Sequence, residues 1–131
     1  MTKEDKELLL KDLCARLPYG VKVLVDVEKE PEVLYSINTF RPRVTFSTTR
    51  YHMVYIENIK PYLRPLSSMT DGQIDEYHKR CEFNDCDYTC EPMYFDTLES
   101  FDYLYSIHVD CRGLIPLGLA LEAPEGMYKT E

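Results

Sequence analysis

No run of apolar residues in this chain approaches the roughly 20 that a bilayer-spanning helix needs. The opening MTKEDKELLLKDL places charges on both sides of its leucines, without the continuous apolar core of a signal peptide. The expected location is therefore the cytoplasm, without a membrane partner. Gly-x-Gly-x-x-Gly, the phosphate loop and His-Glu-x-x-His are all missing. Asn84-Asp85-Cys86-Asp87 lacks the glycine and distal glutamate of an EF-hand. No internal repeat or low-complexity tract is found. Basic charge is scarce in one long stretch: from Asp71 to Asp110 only Lys79 and Arg80 stand against eleven acids.

The preceding stretch is the reverse. From Asn38 to Arg64 five arginines and lysines stand against the single acid Glu57. Two surfaces of opposite sign do not suit one partner, and this contrast discriminates better than any motif. With 131 residues the chain fits one domain, long enough to bury a core without metals or disulfides. Eleven tyrosines and five phenylalanines argue against disorder. The net charge of -8 argues against bulk attraction to nucleic acid or an anionic membrane, though not against a local basic face. The odd count of five cysteines fits free thiols in a reducing compartment, several of them buried.

Thr2 followed by Asp5 marks the start of a first helix. Leu9, Leu10, Leu13, Cys14 and Leu17 form its apolar stripe, and Pro18 with Gly20 ends it. The period then changes to two, with Val21, Val23, Val25 and Val27 alternating along a strand. Further strands are predicted over Glu32–Phe40, Arg43–Thr49 and Met53–Ile59, rich in β-branched and aromatic residues. Lys60–Leu66 carries two prolines and is expected to be an extended crossing between a strand-rich part (1–59) and an acidic helical part (71–131). Thr70 with Gln73 opens a short helix to about Arg80, and Asp96 with Glu99 one to about His108, its inward stripe Leu98, Phe101, Tyr105 and His108. Glu82–Pro92 reads as a loop. Gly113–Gly126 reads as an irregular apolar tail, with Gly113 as a left-handed helix end and Leu117, Leu119 and Leu121 covering the sheet or helices. The expected fold class is α+β in a single domain: an N-terminal helix, a small antiparallel SH3-like barrel or curled sheet of four to five strands, then two helices and the tail.

His78, Cys81, Cys86 and Cys90 are four zinc-ligand types within thirteen residues. Their spacing matches no common zinc knuckle, and Ile74, Tyr77, His78 and Cys81 also make an ordinary helix stripe, so no metal is assigned. Cys111 with His108 is the nearest approach to a nucleophile and base, but the surrounding carboxylates raise a thiol pKa. No catalytic residue and no cofactor is assigned. Arg41, Arg43, Arg50 and Tyr51 are the candidate binding residues, arginines interleaved with aromatics on strands, as in single-strand binders. Arg43 and Thr45 would share one face, with Val44 and Phe46 toward the core.

KPYLRPLSSMT at Lys60–Thr70 and ESFDYLYSIHVDCRGLIPLGLALEAPEGMY at Glu99–Tyr128, with DLCARLPYG at Asp12–Gly20, are similar to a group of short uncharacterised proteins from gut anaerobes and their prophages. No activity is assigned to that group. The resemblance implies an association with mobile elements, and so a small regulator or interaction factor rather than a metabolic enzyme. The functional expectation is a non-catalytic binding module that meets a protein partner through its acidic face. The alternative is a nucleic-acid binder using the basic strand face, and an enzyme or zinc-stabilised module comes third.

Overall fold

The structure, a computed structural model, describes residues 1–25, 31–40, 43–46, 54–84 and 93–128. Helix α1 (Lys3–Arg16) opens on a capping box in which Thr2 accepts from Asp5 N at 3.1 Å and Asp5 accepts in turn from Thr2 N. A 3-10 turn, Leu17–Tyr19, follows, and Gly20 at φ 71° redirects the chain into strand β1 (Lys22–Val25). A side chain there would meet no neighbour, so the requirement for glycine is the backbone angle alone.

The buried stripe of α1 is Leu9, Asp12, Leu13 and Arg16, while Cys14 is exposed. The spacing expected of an amphipathic helix is kept, but the stripe is rotated and two of its members are charged. Beyond β1 come β2 (Glu32–Asn38), β3 (Arg43–Phe46), the two-residue β4 (Val54–Tyr55) and β5 (Ile59–Leu63). Then follow α2 (Asp71–Arg80), β6 (Glu82–Asn84), β7 (Met93–Phe95), α3 (Leu98–Ser106) and β8 (Leu121–Glu122). The sheet order is β4-β3-β2-β1-β5-β8, with β6 and β7 forming a separate hairpin.

This is an α+β fold with an N-terminal helix, as expected, but its sheet is open and mixed. It has six strands rather than the four to five of an antiparallel SH3-like barrel or curled sheet. Two segments read as crossing and tail account for the difference. Ile59–Leu63 is extended, but it pairs with β1 antiparallel (Val23 opposite Pro61, Val25 opposite Ile59) and with β8 in parallel (Tyr62 opposite Leu121). Pro61, which has no N–H to donate, is tolerated because β8 begins only opposite Tyr62. Ile59, Pro61 and Leu63 point into the core and Lys60 and Tyr62 do not, the two-residue alternation of a half-buried strand.

One face of the sheet and α1 enclose the core, in which Leu9, Leu13, Val21, Val23, Ile56, Ile59, Leu63 and Leu114 have no exposed surface. Burying a side chain of this kind contributes about 1.5–3 kcal/mol. Leu114, Leu119 and Ala120 bring the tail into the same cluster, whereas Leu117 is left exposed.

Helix α3 starts one residue later than its sequence suggests. Thr97 is the cap, accepting from Ser100 N at 3.0 Å, and the shift turns Leu98 outward to 86% exposure while Ser100, Leu104 and Tyr105 go in. The helix ends before His108. There Val109 N bonds Leu104 O at 3.0 Å and His108 N bonds Tyr105 O at 3.1 Å, a Schellman closure. The left-handed position is therefore His108, at φ 63°, instead of Gly113, which adopts φ 75° in the next turn. Among the described residues, no helix is long and apolar enough to cross a membrane.

Candidate functional site

Three places in the molecule concentrate chemistry. The first lies under the C-terminal end of β5. Leu63 O accepts from Ala123 N at 2.7 Å on the β8 side, so by strand parity the backbone of Arg64 faces the opposite side. His108–Asp110 fills that side: Arg64 N donates to His108 O at 2.7 Å and Asp110 N donates to Arg64 O at 2.8 Å. The Arg64 side chain, 7% exposed, donates to Ile107 O (3.2 Å), Ser68 O (2.9 Å) and Gln73 Oε1 (3.0 Å). Gln73 Oε1 also accepts from Thr70 N at 3.1 Å, so Arg64 is tied to the capping box that opens α2.

Behind Arg64, the ring of His108 stacks on Tyr128 at 3.8 Å between centroids. The Tyr128 hydroxyl occupies the point where the ladder between β1 and β5 ends, accepting from Lys22 N at 2.9 Å and donating to Tyr62 O at 2.8 Å. Its burial pushes the phenol up to about 12. The Lys22 ammonium lies 5.9 Å from the same ring and donates to Met127 O at 3.2 Å. Burial, helped by Arg16, Arg64 and Lys22, pushes the His108 imidazole down to about 4, and its Nδ1 is buried without a hydrogen-bond partner among the described residues. A cavity of about 550 Å³ opens in front, lined by Arg64, Pro65, Ser68, residues 122–126 and Tyr128.

Next to this cluster, Arg16 and Asp12 form a pair with no exposed surface. Arg16 Nε donates to Asp12 Oδ2 at 2.7 Å and Nη2 donates to Asp12 Oδ1 and to Val109 O. Tyr105 presents its ring to Arg16 at 5.1 Å and to Arg112 at 5.7 Å. Burial pushes the Asp12 carboxyl up against the opposing pull of Arg16 and Arg112. Neither Asp12 nor Arg16 belongs to the apolar periodicity of α1, although both lie on its buried stripe. The available signal was their i, i+4 spacing in phase with Leu9 and Leu13.

The second place is the surface of α2 and α3, which pack together. Asp71, Asp75, Glu99 and Asp102 are exposed there, and among the described residues the one acid of these two helices in an ion pair is Glu76, with Arg80 at 3.0 Å. Tyr77 donates to Asp96, which also accepts from Ser100 Oγ, so the link between β7 and α3 is bonded to α2. The exposed Leu98 lies beside Phe101, Tyr105, Cys111 and Arg112 around a hollow of about 380 Å³, with Asp102 at its edge. Asp110, counted from sequence among the acids of this face, is buried and caps a turn by accepting from Leu114 N and Ile115 N, each at 2.9 Å.

The third is the outward face of β3. Register pairs Asn38 with Arg43 and Arg43 with Tyr55, while the neighbouring Val44 is buried. The Arg43 guanidinium lies 4.8 Å from the Tyr55 ring and donates to its hydroxyl at 3.1 Å. Arg41, Arg50 and Tyr51 lie outside the described residues.

Of the four candidate metal ligands, Cys86 and Cys90 also lie outside them. His78 stacks on Tyr94 at 4.0 Å, and Cys81 ends α2 as its C-cap. Among the described residues no group of three or more metal-binding side chains comes together. Burial pushes the Cys111 thiol up, the direction opposite to that of an activated nucleophile. The chain matches no family model, no curated protein and no solved structure.

Proposed function

We propose that this protein is a non-catalytic binding module that engages a basic protein partner through the α2–α3 face. The supporting observation is the set of exposed carboxylates Asp71, Asp75, Glu99 and Asp102 on two helices held together by packing. Unpaired surface carboxylates attract a basic partner over a distance set by salt, and they raise the encounter rate more than the final affinity. Leu98 on α3, 86% exposed and next in sequence to Glu99, is an apolar side chain of the kind such an interface buries.

The test is a pull-down from the native host at two salt concentrations, repeated with Asp71→Asn, Asp75→Asn, Glu99→Gln and Asp102→Asn combined. The expected result is a basic protein retained at about 50 mM salt and released near 0.5 M, as screening shortens the reach of the charges. The neutralised variant should lose it at both. A partner held equally by both forms at both salts would refute the reading.

A second reading is supported by the stacked Arg43–Tyr55 pair on the sheet surface. It makes the chain a nucleic-acid binder whose affinity for oligonucleotides falls steeply with salt. A gel shift without retained species at low salt excludes it.

A further inference from the structure

Arg16 and Arg64 are both buried, but among the described residues only Arg16 has a counter-ion. Arg64 bonds two backbone carbonyls and one amide oxygen, and among the described residues no carboxylate stands within ion-pair distance of it. Lys22, on the other side of Tyr128, likewise has a carbonyl as its partner. The chain holds 23 acidic side chains against 15 lysines and arginines, so counter-ions are not scarce. A cation withdrawn from water without one is costly unless something else compensates it.

The same cavity carries Glu122 and Glu125, both exposed. Its walls thus bear one buried positive charge and two solvated negative ones, with Pro65, Ala123 and Pro124 adding apolar lining. The volume of about 550 Å³ lies within the range of small-molecule sites. A phosphate or simple carboxylate would gain from Arg64 but be opposed by both glutamates. A bare amine would gain from the glutamates and be opposed by Arg64. A molecule with both charges is favoured by all three groups.

We propose that this cavity binds a small zwitterion, its carboxylate on Arg64 and its ammonium or guanidinium group between Glu122 and Glu125. A free basic amino acid and the C-terminal residue of a peptide ending in lysine or arginine share this chemistry. Arginine-to-carboxylate contacts of this kind are among the stronger hydrogen bonds, and they replace water at a group already desolvated by the fold. This site is separate from the α2–α3 face and stands or falls without it.

The experiment is calorimetric and NMR titration of the full chain with L-arginine, L-lysine, an N-acetylated tripeptide ending in arginine, the same peptide as its C-terminal amide, sodium acetate and inorganic phosphate. At least one free-carboxylate zwitterion should bind saturably with Kd below about 10 mM, the range accessible to such titrations. Amidation of the peptide, or Glu122→Gln with Glu125→Gln, should weaken it at least about tenfold, the change equivalent to one lost charged contact. The glutamates are exposed, so that double variant tests the site without threatening the fold; Arg64→Lys, checked for retained circular dichroism, tests the anion end. Binding by the free amino acids alone identifies a small-molecule site, and binding by the peptide alone a terminus-recognition site. No saturable response from any zwitterion, phosphate as the tightest probe, or affinity unchanged by the double glutamate variant would each overturn the proposal.

Discussion

At the scale of single residues, Asp12 and His108 carry opposite lessons about buried charge. Asp12 neutralises Arg16 where neither has access to water. Asp12→Asn leaves the guanidinium buried with a weaker acceptor, and the expected loss of stability is about 3–5 kcal/mol, read by urea denaturation. His108 is instead kept neutral, its pKa pushed down to about 4 from the ordinary 6.5 by burial and by Arg16, Arg64 and Lys22. Between those two values the unfolded imidazole takes a proton that the folded one refuses. Its contribution to stability is therefore complete above about pH 6.5 and is lost as the pH falls toward 4. Comparing the pH dependence of Tm for His108→Gln with that of the parent isolates this effect, because Asp12, whose carboxyl is shifted up, is common to both. The variant should show the shallower fall in this window, and equal slopes would remove the claim.

At the scale of elements, capping chemistry set the starts of the helices more reliably than apolar stripes set their faces. Thr2 with Asp5 and Thr70 with Gln73 open α1 and α2 where the sequence places them. For α3 two caps one residue apart competed, and Thr97 prevailed over Asp96, its hydroxyl also donating to Arg80 O at 2.6 Å at the end of α2. The tie between helices was invisible to a local reading. It makes Thr97→Ala more costly than an isolated cap. Thermal denaturation should show a loss above the usual figure of about 1 kcal/mol. Thr2→Ala, whose cap bonds are exposed, should lose no more than that. The legibility of β5 was similar: the prolines in Lys60–Leu66 indicate extended chain, and the chain is a strand as far as Leu63 and a 3-10 turn from Leu66, but extended chain becomes a strand only when neighbours supply the ladder. Here one neighbour is β8, almost 60 residues further along, paired through Tyr62 with Leu121.

At the scale of the whole molecule, the question is whether the two charged segments remain separate surfaces. Arg64 leaves the basic set for the interior, and Asp110 leaves the acidic set to cap a turn. Glu57 is bridged to Lys6 of α1 at 2.7 Å. Asp71, Asp75, Glu99 and Asp102 stay exposed on α2 and α3, and Arg43 lies on β3, next to the β4 edge of the sheet. Because those carboxylates make no ion pair among the described residues, neutralising all four should leave Tm nearly unchanged while slowing association. The ratio of parent to variant association rates should approach one as salt shortens the screening length to about 3 Å near 1 M.

The sequence alone determined what depends on near neighbours: the helix starts at Thr2 and Thr70, the alternation of Val21, Val23 and Val25, and the opposite charge of two consecutive segments. Tertiary structure decided what depends on distant ones. Arg16 meets Val109 across 93 residues, and Tyr128 closes the ladder beside Lys22 across 106. Contacts of such length leave no periodicity to read. They turned a polar helix pair into a buried ion pair, a helix-stripe histidine into a left-handed helix end, and a proline-rich crossing into a strand followed by a buried arginine that has no counter-ion among the described residues.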